Sequence, residues 1–331
     1  MSTLEYREVP PEDYPEFARY TSVAYDGEDE RALALLNAPG LHRARGVYRD
    51  GRLVTVGLLY AFQVQTGGAV APCGGVGSVA TPPEHRRQGG VERLLRGMAD
   101  ELRAEGTPFC TLGAFKESFY GRYGWATCLE RRVLSGSPRL FAPFRARQQG
   151  AWERVGTEAI PELDAIYSGA LRARFGPLAR HPEWWKHRVL HGWDGKLQYI
   201  YLWRDDAGAA RAYVLFRFRS SPAGRVLECR EAVALDPMAR AQIFALFASH
   251  EDQSEEVRFA GPSDAPVQML LPDPLECKME AGPMLRLVDV AGALAALRYP
   301  GDAHGRLAIA VADDWLPHNH GVFELEVAEG R

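Results

Sequence analysis

Two arginines and two glycines stand together just before an amphipathic segment of the chain. Residues 82–95 read PPEHRRQGGVERLL, and the four residues are Arg86, Arg87, Gly89 and Gly90. A helix N-terminus leaves about four backbone N–H groups unpaired, and the helix dipole adds roughly half a positive charge there. Glycines let an anion approach the backbone, and guanidinium groups match phosphate oxygens. The stretch predicts a phosphate site that suits a pyrophosphate; the alternative is a solvated basic turn before a surface helix.

The pattern around this loop predicts a strand, a helix and a second strand. The stretch GVGSVATP comes before the loop, and PFCTLGAF follows the helix. This order is typical of a βαβ unit, which puts the loop at the first strand–helix junction. Gly106 is placed to end the helix. The apolar stripe of the helix consists of Val91, Leu94, Leu95, Met98 and Leu102.

The same order of elements recurs in the second half of the chain. In the first half, a helical stretch at residues 14–37 precedes an Asp-Gly turn at residues 49–52, which predicts a hairpin. A change of composition at residues 135–150 predicts a linker, and helix, hairpin, strand and helix follow it. The second copy reads LDPMARAQ where the first reads TPPEHRRQGG, so it lacks the anion loop. We expect a mixed α/β (α+β) fold with one equipped and one degenerate copy.

Composition and charge exclude several classes of protein. The 331 residues are 46% hydrophobic and 25% charged, which is ordinary for a globular protein. A net charge of -4 argues against a nucleic-acid binder, which needs a surplus of cations. The sequence has no apolar signal segment and no apolar run of membrane-spanning length. Its five scattered cysteines suit a reducing compartment and offer no metal-ligand spacing. We therefore expect a cytoplasmic protein that binds no metal, nucleic acid or membrane.

The loop and a later aromatic motif together resemble the Gcn5-related N-acetyltransferase (GNAT) family. That family's phosphate loop reads R/Q-x-x-G-x-G/A; Arg86 and Gly89 match its first two anchors, and Val91 departs from the third. The motif FYGRYGW at residues 119–125 follows at the expected distance. The chain resembles Eis-type acetyltransferases more closely, because three stretches match in order. They are the loop with FYGRYGW, then GPLARHPEWWKHRV, then MLRLVDVAGALAALRYP.

This resemblance implies a domain organisation for nearly the whole chain. Residues 1–147 would form a GNAT domain with the acetyl-CoA site, and residues 148–283 a second, degenerate GNAT-like domain. Residues 284–331 would begin a sterol-carrier-like domain that is truncated here. The family also tends towards homo-hexamers, so the resemblance implies a homo-oligomer, either a hexamer or, with the shortened third domain, another assembly.

The resemblance also implies which residues hold acetyl-CoA. The strand before the loop would pair with the pantetheine arm, the loop would cradle the pyrophosphate, and two residues after the next strand would contact the cofactor. Lys116 departs from the family pattern, so it either reaches a phosphate or faces solvent. The expected cofactor-binding residues are Val79, Ala80, Thr81, Arg86, Arg87, Gln88, Gly89, Gly90, Val91, Glu92, Phe115 and Lys116.

Tyr120 matches the family's general acid, since a phenol can give a proton to a departing thiolate. The alternative is that Tyr120 is one more aromatic in a packed cluster. In the family the terminal carboxylate is the base, and this sequence stops at Arg331, short of that position. The chain is therefore either a truncated form or uses another base. Asp26 and Glu28 fall where the family binds its substrate, and they are either attractors of an ammonium group or a solvated charge run.

The resemblance implies an acetyl-CoA-dependent N-acetyltransferase. Its acceptor would be a cationic small-molecule amine, aminoglycoside-like or polyamine-like, that attacks the thioester directly. The alternative is a non-catalytic acyl-CoA-binding module or regulator, which the missing terminal base favours.

Overall fold

The computed structural model describes most of the chain as helices, strands and short turns. The described residues are 3–38, 40, 42–191, 198–222, 224–261 and 267–330. Arg331, which entered the prediction about the general base, lies outside them. The α-helices are α1 (Tyr14–Tyr25), α2 (Asp29–Leu36), α3 (Gly90–Ala104), α4 (Glu117–Gly121), α5 (Ile160–Leu171), α6 (Pro182–Trp184), α7 (Pro237–Ala248) and α8 (Val290–Ala296). The strands are β1 (Leu4–Glu8), β2 (Arg43–Arg49), β3 (Arg52–Thr66), β4 (Val70–Ala80), β5 (Phe109–Leu112), β6 (Ala126–Thr127), β7 (Glu130–Gly136), β8 (Ala151–Arg154), β9 (Phe175–Ala179), β10 (Tyr199–Arg204), β11 (Ala210–Ser221), β12 (Gly224–Ala234), β13 (Glu256–Gly261), β14 (Glu276–Ala281), β15 (Met284–Leu287), β16 (Gly305–Val311) and β17 (Gly321–Val327).

The chain divides into two units, and neither is one continuous stretch. The first unit comprises Met1–Cys128, Arg174–Ala179 and Pro283–Arg331, and the second comprises Leu129–Ala173 and Arg180–Gly282. The boundaries that the sequence places after residues 147 and 283 stay a prediction.

The predicted linker at residues 135–150 is not an extended connection. Most of it forms a 3-10 helix over Pro138–Arg147. Phe141 and Phe144 of this helix are buried in the core of the second unit. The composition there is rich in arginine and proline, but burial of its two phenylalanines makes it part of a domain.

The first unit is built on a sheet with the order β1-β2-β3-β4-β5-β15-β6, and β9 also pairs with β3. The hairpin predicted at the Asp-Gly turn is present, because β2 pairs antiparallel with β3. Asp50 and Gly51 have φ values of 50° and 76°. Positive φ at both central residues is the mark of the hairpin turn that Asp-Gly favours. The helical stretch predicted at residues 14–37 is two helices, since Asp26 ends α1 in the left-handed conformation.

A parallel strand pair with a crossover helix positions the loop. Strands β4 and β5 pair in parallel from Cys73 opposite Phe109 to Val76 opposite Leu112, where β5 ends. Strand β4 continues for four residues, to Ala80. The connecting helix α3 buries its predicted stripe, including Leu94, Leu95, Met98 and Leu102. Burying one such side chain stabilises the fold by about 1.5–3 kcal/mol, which holds α3 on the sheet.

The second unit repeats the strand plan of the first. Its sheet has the order β8-β10-β11-β12-β13-β7-β14. Strands β12 and β13 are its parallel pair, and α7 connects them. Each sheet therefore has five strands in sequence order with a parallel fourth and fifth, as the predicted duplication implies. The mixed α/β class is confirmed.

The C-terminal stretch adds to the first unit. Strand β15 lies between β5 and β6 in the first sheet, and β16 and β17 pair as a separate hairpin. A buried ion pair of 2.5 Å joins Arg286 of β15 to Asp313. Strand, helix and two strands appear in the predicted order. Within the described residues, no helix has the length and apolar character that crossing a membrane requires.

Candidate active site

A cleft of about 940 Å³ opens in the first unit at the end of β4. Its walls come from the end of α1, the end of β4, the loop before α3, and the stretch around α4. Its volume lies near the upper end of the roughly 300–1,000 Å³ usual for ligand pockets. The lining residues are Val23, Ala24, Tyr25, Val79, Ala80, Thr81, His85, Arg86, Arg87, Gly89, Gly90, Val91, Glu92, Phe115, Phe119, Tyr120, Arg122 and Tyr123.

The loop before α3 has the backbone of an anion site. Arg87 and Gly89 both have positive φ, at 58° and 81°. Residues in the left-handed conformation that alternate with residues of negative φ turn successive backbone N–H groups towards one concavity. Gly89 is the N-cap of α3, and no side chain caps the first turn. The N–H groups at this helix end are thus left for a ligand, and α3 is long enough, at 15 residues, for its dipole to assist.

Gly90 has a second reason to be glycine. A Cβ atom there would lie 2.2 Å from Oγ1 of Thr55, which is fully buried on β3. The Thr55 hydroxyl is held in turn by a 3.0 Å hydrogen bond with the hydroxyl of Thr81. The sequence interpretation gave both glycines the same role of admitting an anion. The structure shows that Gly90 also lets the start of α3 approach the sheet.

The polar side chains of the loop divide into two groups. Arg86 lines the cleft, and its Nε donates to the carbonyl oxygen of Thr81 at 3.1 Å. Arg87 also lines the cleft. Gln88 is not among the cleft-lining residues: its side chain accepts from Arg49 and donates to the carbonyl oxygen of Glu84. Gln88 therefore braces the loop, and Arg49 is a supporting residue that sequence reasoning missed.

The end of β4 carries a β-bulge. Val56 pairs with Ala80 and Leu58 pairs with Gly77, so two residues of β4 oppose one of β3. Within this bulge Ser78 has a φ of 50°. Bulges of this kind re-aim backbone groups and are frequent beside active sites. Here the bulge falls on the four residues of β4 that run past the end of β5.

Tyr25, which the sequence analysis did not single out, reaches this bulge from α1. Its hydroxyl group donates a 3.1 Å hydrogen bond to the carbonyl oxygen of Val79. Burial raises the pKa of Tyr25. Tyr25 is the last residue of α1, and the sequence of this helix contains no recognisable motif. Only the fold therefore brings Tyr25 to the cleft.

Tyr120 lies in α4 on the other side of the cleft. It is only 4% exposed, and its ring makes T-shaped contacts with Phe115 and Phe119. Burial, with a smaller contribution from Tyr25, raises the pKa of Tyr120 to about 12. Among the described residues, no hydrogen bond to its hydroxyl is present. The phenol is therefore protonated at neutral pH and has its donor available.

Three predicted binding residues lie away from the cleft lining. Lys116 is exposed at the N-cap of α4. Asp26 follows α1 as its C-cap, and Glu28 is the N-cap of α2; both are exposed. None of the three is among the lining residues, whereas the other predicted residues except Gln88 are.

Trp315 of the C-terminal stretch packs against aromatic residues that follow Tyr120 in the chain. The Trp315 ring lies 5.6 Å from the ring of Tyr123 and 5.7 Å from that of Trp125. Arg96 of α3 donates to the Trp315 carbonyl oxygen at 2.6 Å and lies over its ring. Trp315 thus links the helix that begins at the loop to the aromatic segment after Tyr120.

The second unit places a carboxylate where the first unit has a bare helix end. Asp236 is the N-cap of α7 and accepts a 2.9 Å hydrogen bond from the N–H of Ala239. Arg211 donates to the other Asp236 oxygen at 2.6 Å. Burial alone would raise the pKa of Asp236, but these hydrogen bonds outweigh it and lower that pKa. The protein's own anion fills this helix end, and the lack of cofactor binding in the second unit stays a prediction.

The described part of the chain contains no group of three or more His, Cys, Asp or Glu side chains that could hold a metal ion.

Comparisons with known proteins place this geometry in a family. An acetyltransferase (GNAT) domain family matches residues 5–128, and a second family of the same description matches residues 176–287. A sterol carrier protein domain family matches residues 290–331.

Several known proteins match almost the whole of this chain and more than four fifths of their own length. An uncharacterized N-acetyltransferase of Streptomyces coelicolor is 28% identical over 98% of this chain and 83% of its own. Eis1 from Mycobacterium abscessus is 26% identical with a TM-score of 0.78, over 99% of this chain and 84% of that one. A probable N-acyltransferase from Enterococcus faecalis has the same fold, with a TM-score of 0.88 at 22% identity over 100% of this chain and 84% of that one.

The fold and the matched domains define an acetyltransferase of the GNAT type. The chain belongs to the Gcn5-related N-acetyltransferase superfamily, with two GNAT domains and a sterol-carrier-like segment, and it is similar to Eis. The resemblance stated from the sequence, the tandem fold and the assignment as an enzyme are confirmed.

Proposed function

We propose that this chain transfers the acetyl group of acetyl-CoA to a primary amine of a small molecule by direct attack on the thioester. One observation carries the proposal: the anion loop at the start of α3 and the buried phenol of Tyr120 line the same cleft. The end of β4, with its bulge, lines that cleft too. A cofactor with phosphates at one end and a reactive thioester at the other would occupy these three parts of the cleft.

The residues present fit acetyl-CoA. The uncapped first turn of α3, the left-handed Arg87 and the guanidinium of Arg86 suit a pyrophosphate. Val79, Ala80 and Thr81 line the cleft and would flank the pantetheine arm. Acetyl-CoA, when bound, supplies an acyl group activated as a thioester. We assign Gly89, Gly90, Val91 and Glu92 of the loop to the same cofactor as predicted from the sequence, and Phe115 to its acyl end, where the acceptor also binds.

The N–H and C=O groups of one extended residue point to the same edge of a strand. The Val79 carbonyl accepts the hydrogen bond of Tyr25, and on this rule we assign the Val79 N–H to the cleft that Val79 lines. There it would stabilise the negative charge that develops on the acyl oxygen, which is the usual role of such a donor.

Tyr120 would donate its proton to the departing sulfur, because its raised pKa keeps it protonated through neutral pH. In the balanced step the amine nitrogen bonds to the acyl carbon, the C–S bond breaks, and the thiolate takes the Tyr120 proton. The proton that the amine loses passes to solvent, and Tyr120 regains one from solvent. The products are an N-acetyl amide and free CoA thiol.

The finer assignments extend this proposal. An aminoglycoside-like or polyamine-like acceptor, a homo-oligomer up to a hexamer and a cytoplasmic location all come from the sequence analysis. The free state of Cys73, Cys110, Cys128, Cys229 and Cys277 supports a reducing compartment. Light scattering after size-exclusion chromatography tests the assembly, and a single protomer mass would remove it from the proposal.

The decisive experiment mixes the purified chain with acetyl-CoA and a panel of amines and follows free thiol and the mass of the amine. We expect thiol release that depends on the amine, with equimolar N-acetylated product. Calorimetry with acetyl-CoA alone accompanies it. Tight binding without turnover of any amine would instead favour an acyl-CoA-binding module, and no binding would remove the assigned cleft.

A further inference from the structure

Three apolar side chains are exposed at one end of the cleft. Val23 is 65% exposed, Tyr25 58% and Phe115 75%. All three line the same cleft as the loop and Tyr120. A group of exposed apolar side chains inside a concave site marks a surface that a ligand covers.

This apolar wall lies beside the predicted reacting atoms. The Phe115 ring is 5.8 Å from the ring of Tyr120. The Tyr25 hydroxyl is bonded to the carbonyl oxygen of Val79, at the β4 bulge. Val23 is in the last turn of α1, two residues before Tyr25. The wall therefore belongs to the end of the cleft where the acyl group is transferred, and not to the phosphate end.

The charges in the cleft do not suit a polycation. Glu92 is the sole carboxylate among the described lining residues, and it lies in the first turn of α3, at the phosphate end. The basic lining residues are His85, Arg86, Arg87 and Arg122. An acceptor with several ammonium groups would lose hydration at the apolar end and meet no carboxylate among the described lining residues there.

We propose that the acceptor is an arylalkylamine, a primary amine carried on an aromatic body, whose ring packs between Val23, Tyr25 and Phe115. The amine then points towards Val79 and Tyr120. Apolar surroundings disfavour the ammonium form, so they favour the neutral amine that attacks the thioester. This inference rests on the proposed function and names, for that same site, an acceptor class other than the aminoglycoside-like or polyamine-like one that the sequence resemblance implies.

The test compares two sets of acceptors with the 331-residue chain. 2-Phenylethylamine and tryptamine represent the proposed class; putrescine, spermidine and kanamycin represent polycations. We expect kcat/KM for the arylalkylamines to exceed that for the polycations by at least about tenfold, in line with discrimination by one apolar group. Calorimetry should also detect 2-phenylethylamine binding to the CoA-saturated protein.

Substitutions in the apolar wall test whether it causes the preference for arylalkylamines. Val23→Ser and Phe115→Ala should each lower the ratio of kcat/KM for 2-phenylethylamine to that for putrescine. Met269, 84% exposed in the second unit, provides the control Met269→Ala, which should leave the ratio unchanged. A preference for polycations, or a ratio that neither wall variant lowers, overturns the inference and leaves the proposed function standing. If no amine in either set causes thiol release, the proposed function is overturned, and the inference with it.

Discussion

The hydroxyl group of Tyr25 donates a hydrogen bond to the carbonyl oxygen of Val79 across 3.1 Å, joining the end of α1 to the bulge of β4. The two residues are 54 positions apart, so no local sequence signal connects them. The bond fixes the carbonyl group of Val79. The N–H of the same residue is the donor that we assign to the acyl oxygen. Tyr25 therefore acts through Val79, as a positioning residue.

Replacing Tyr25 tests that role. A neutral hydrogen bond is worth about 0.5–1.5 kcal/mol, so Tyr25→Phe should lower kcat by about two- to tenfold. KM for acetyl-CoA should change little, because the phosphate loop is untouched. Tyr199→Phe, at an exposed tyrosine of the second unit, is the matched control. Steady-state kinetics with thiol detection measures both, and an unchanged kcat in Tyr25→Phe would count against the assignment.

Gly90→Ala should harm both folding and cofactor binding. Its Cβ would collide with the Thr55 hydroxyl, and overpacking of this kind costs about 1–3 kcal/mol. Urea unfolding should show that loss, and calorimetry should show weaker acetyl-CoA binding. Gly301, where a Cβ would meet nothing within 4 Å, gives the control Gly301→Ala. Equal behaviour of the two variants would contradict the packing argument.

The pH dependence should show the raised pKa of Tyr120. With a pKa of about 12, the phenol stays protonated well beyond the ordinary tyrosine pKa of about 10. The kcat/KM profile should therefore rise as the amine acceptor loses its proton, with no downward limb from the acid below about pH 10. A stopped-flow profile over brief exposures measures this. A downward limb near pH 8 that disappears in Tyr120→Phe would show that the acid titrates too early.

Asp236 should stabilise the second unit in a pH-dependent way. Asp236→Ala removes the N-cap of α7 and the partner of Arg211, at a cost of about 1–2 kcal/mol at pH 7. Because its pKa is lowered on folding, this contribution is present above the ordinary aspartate pKa and is lost as pH falls through the folded value. Denaturant midpoints of both proteins from pH 7 to pH 3 should therefore converge. A constant difference would contradict the charge argument.

The parts of the site that the sequence predicted are those contained in short contiguous motifs. RRQGG before an apolar stripe identifies a helix N-terminus with unpaired N–H groups, and α3 starts at Gly90 as expected. Gly106 follows Glu105, the C-cap of α3, and has a φ of 71°, as its predicted role requires. Such signals are local, because capping and turn chemistry act within a few residues.

The parts that were missed depend on distant pairings. Thr55 lies on another strand, 35 positions before Gly90, and Trp315 lies 219 positions after its partner Arg96. The stretch containing Phe141 and Phe144 has no helical or strand period, so its burial could not be read from its pattern. Gln88 lies within the predicted phosphate loop, yet its side chain accepts a hydrogen bond from Arg49 of β2.

The central claim is that the Tyr120 phenol protonates the departing thiolate in the cleft that holds the cofactor. The most direct measurement is the turnover of Tyr120→Phe against the unaltered chain at saturating acetyl-CoA, with the acetyl-CoA Kd of each by calorimetry. The account predicts a fall in kcat of at least about tenfold, the low side of a general-acid effect, with Kd within about twofold. An unchanged kcat at equal Kd would contradict it and return Tyr120 to a packing role.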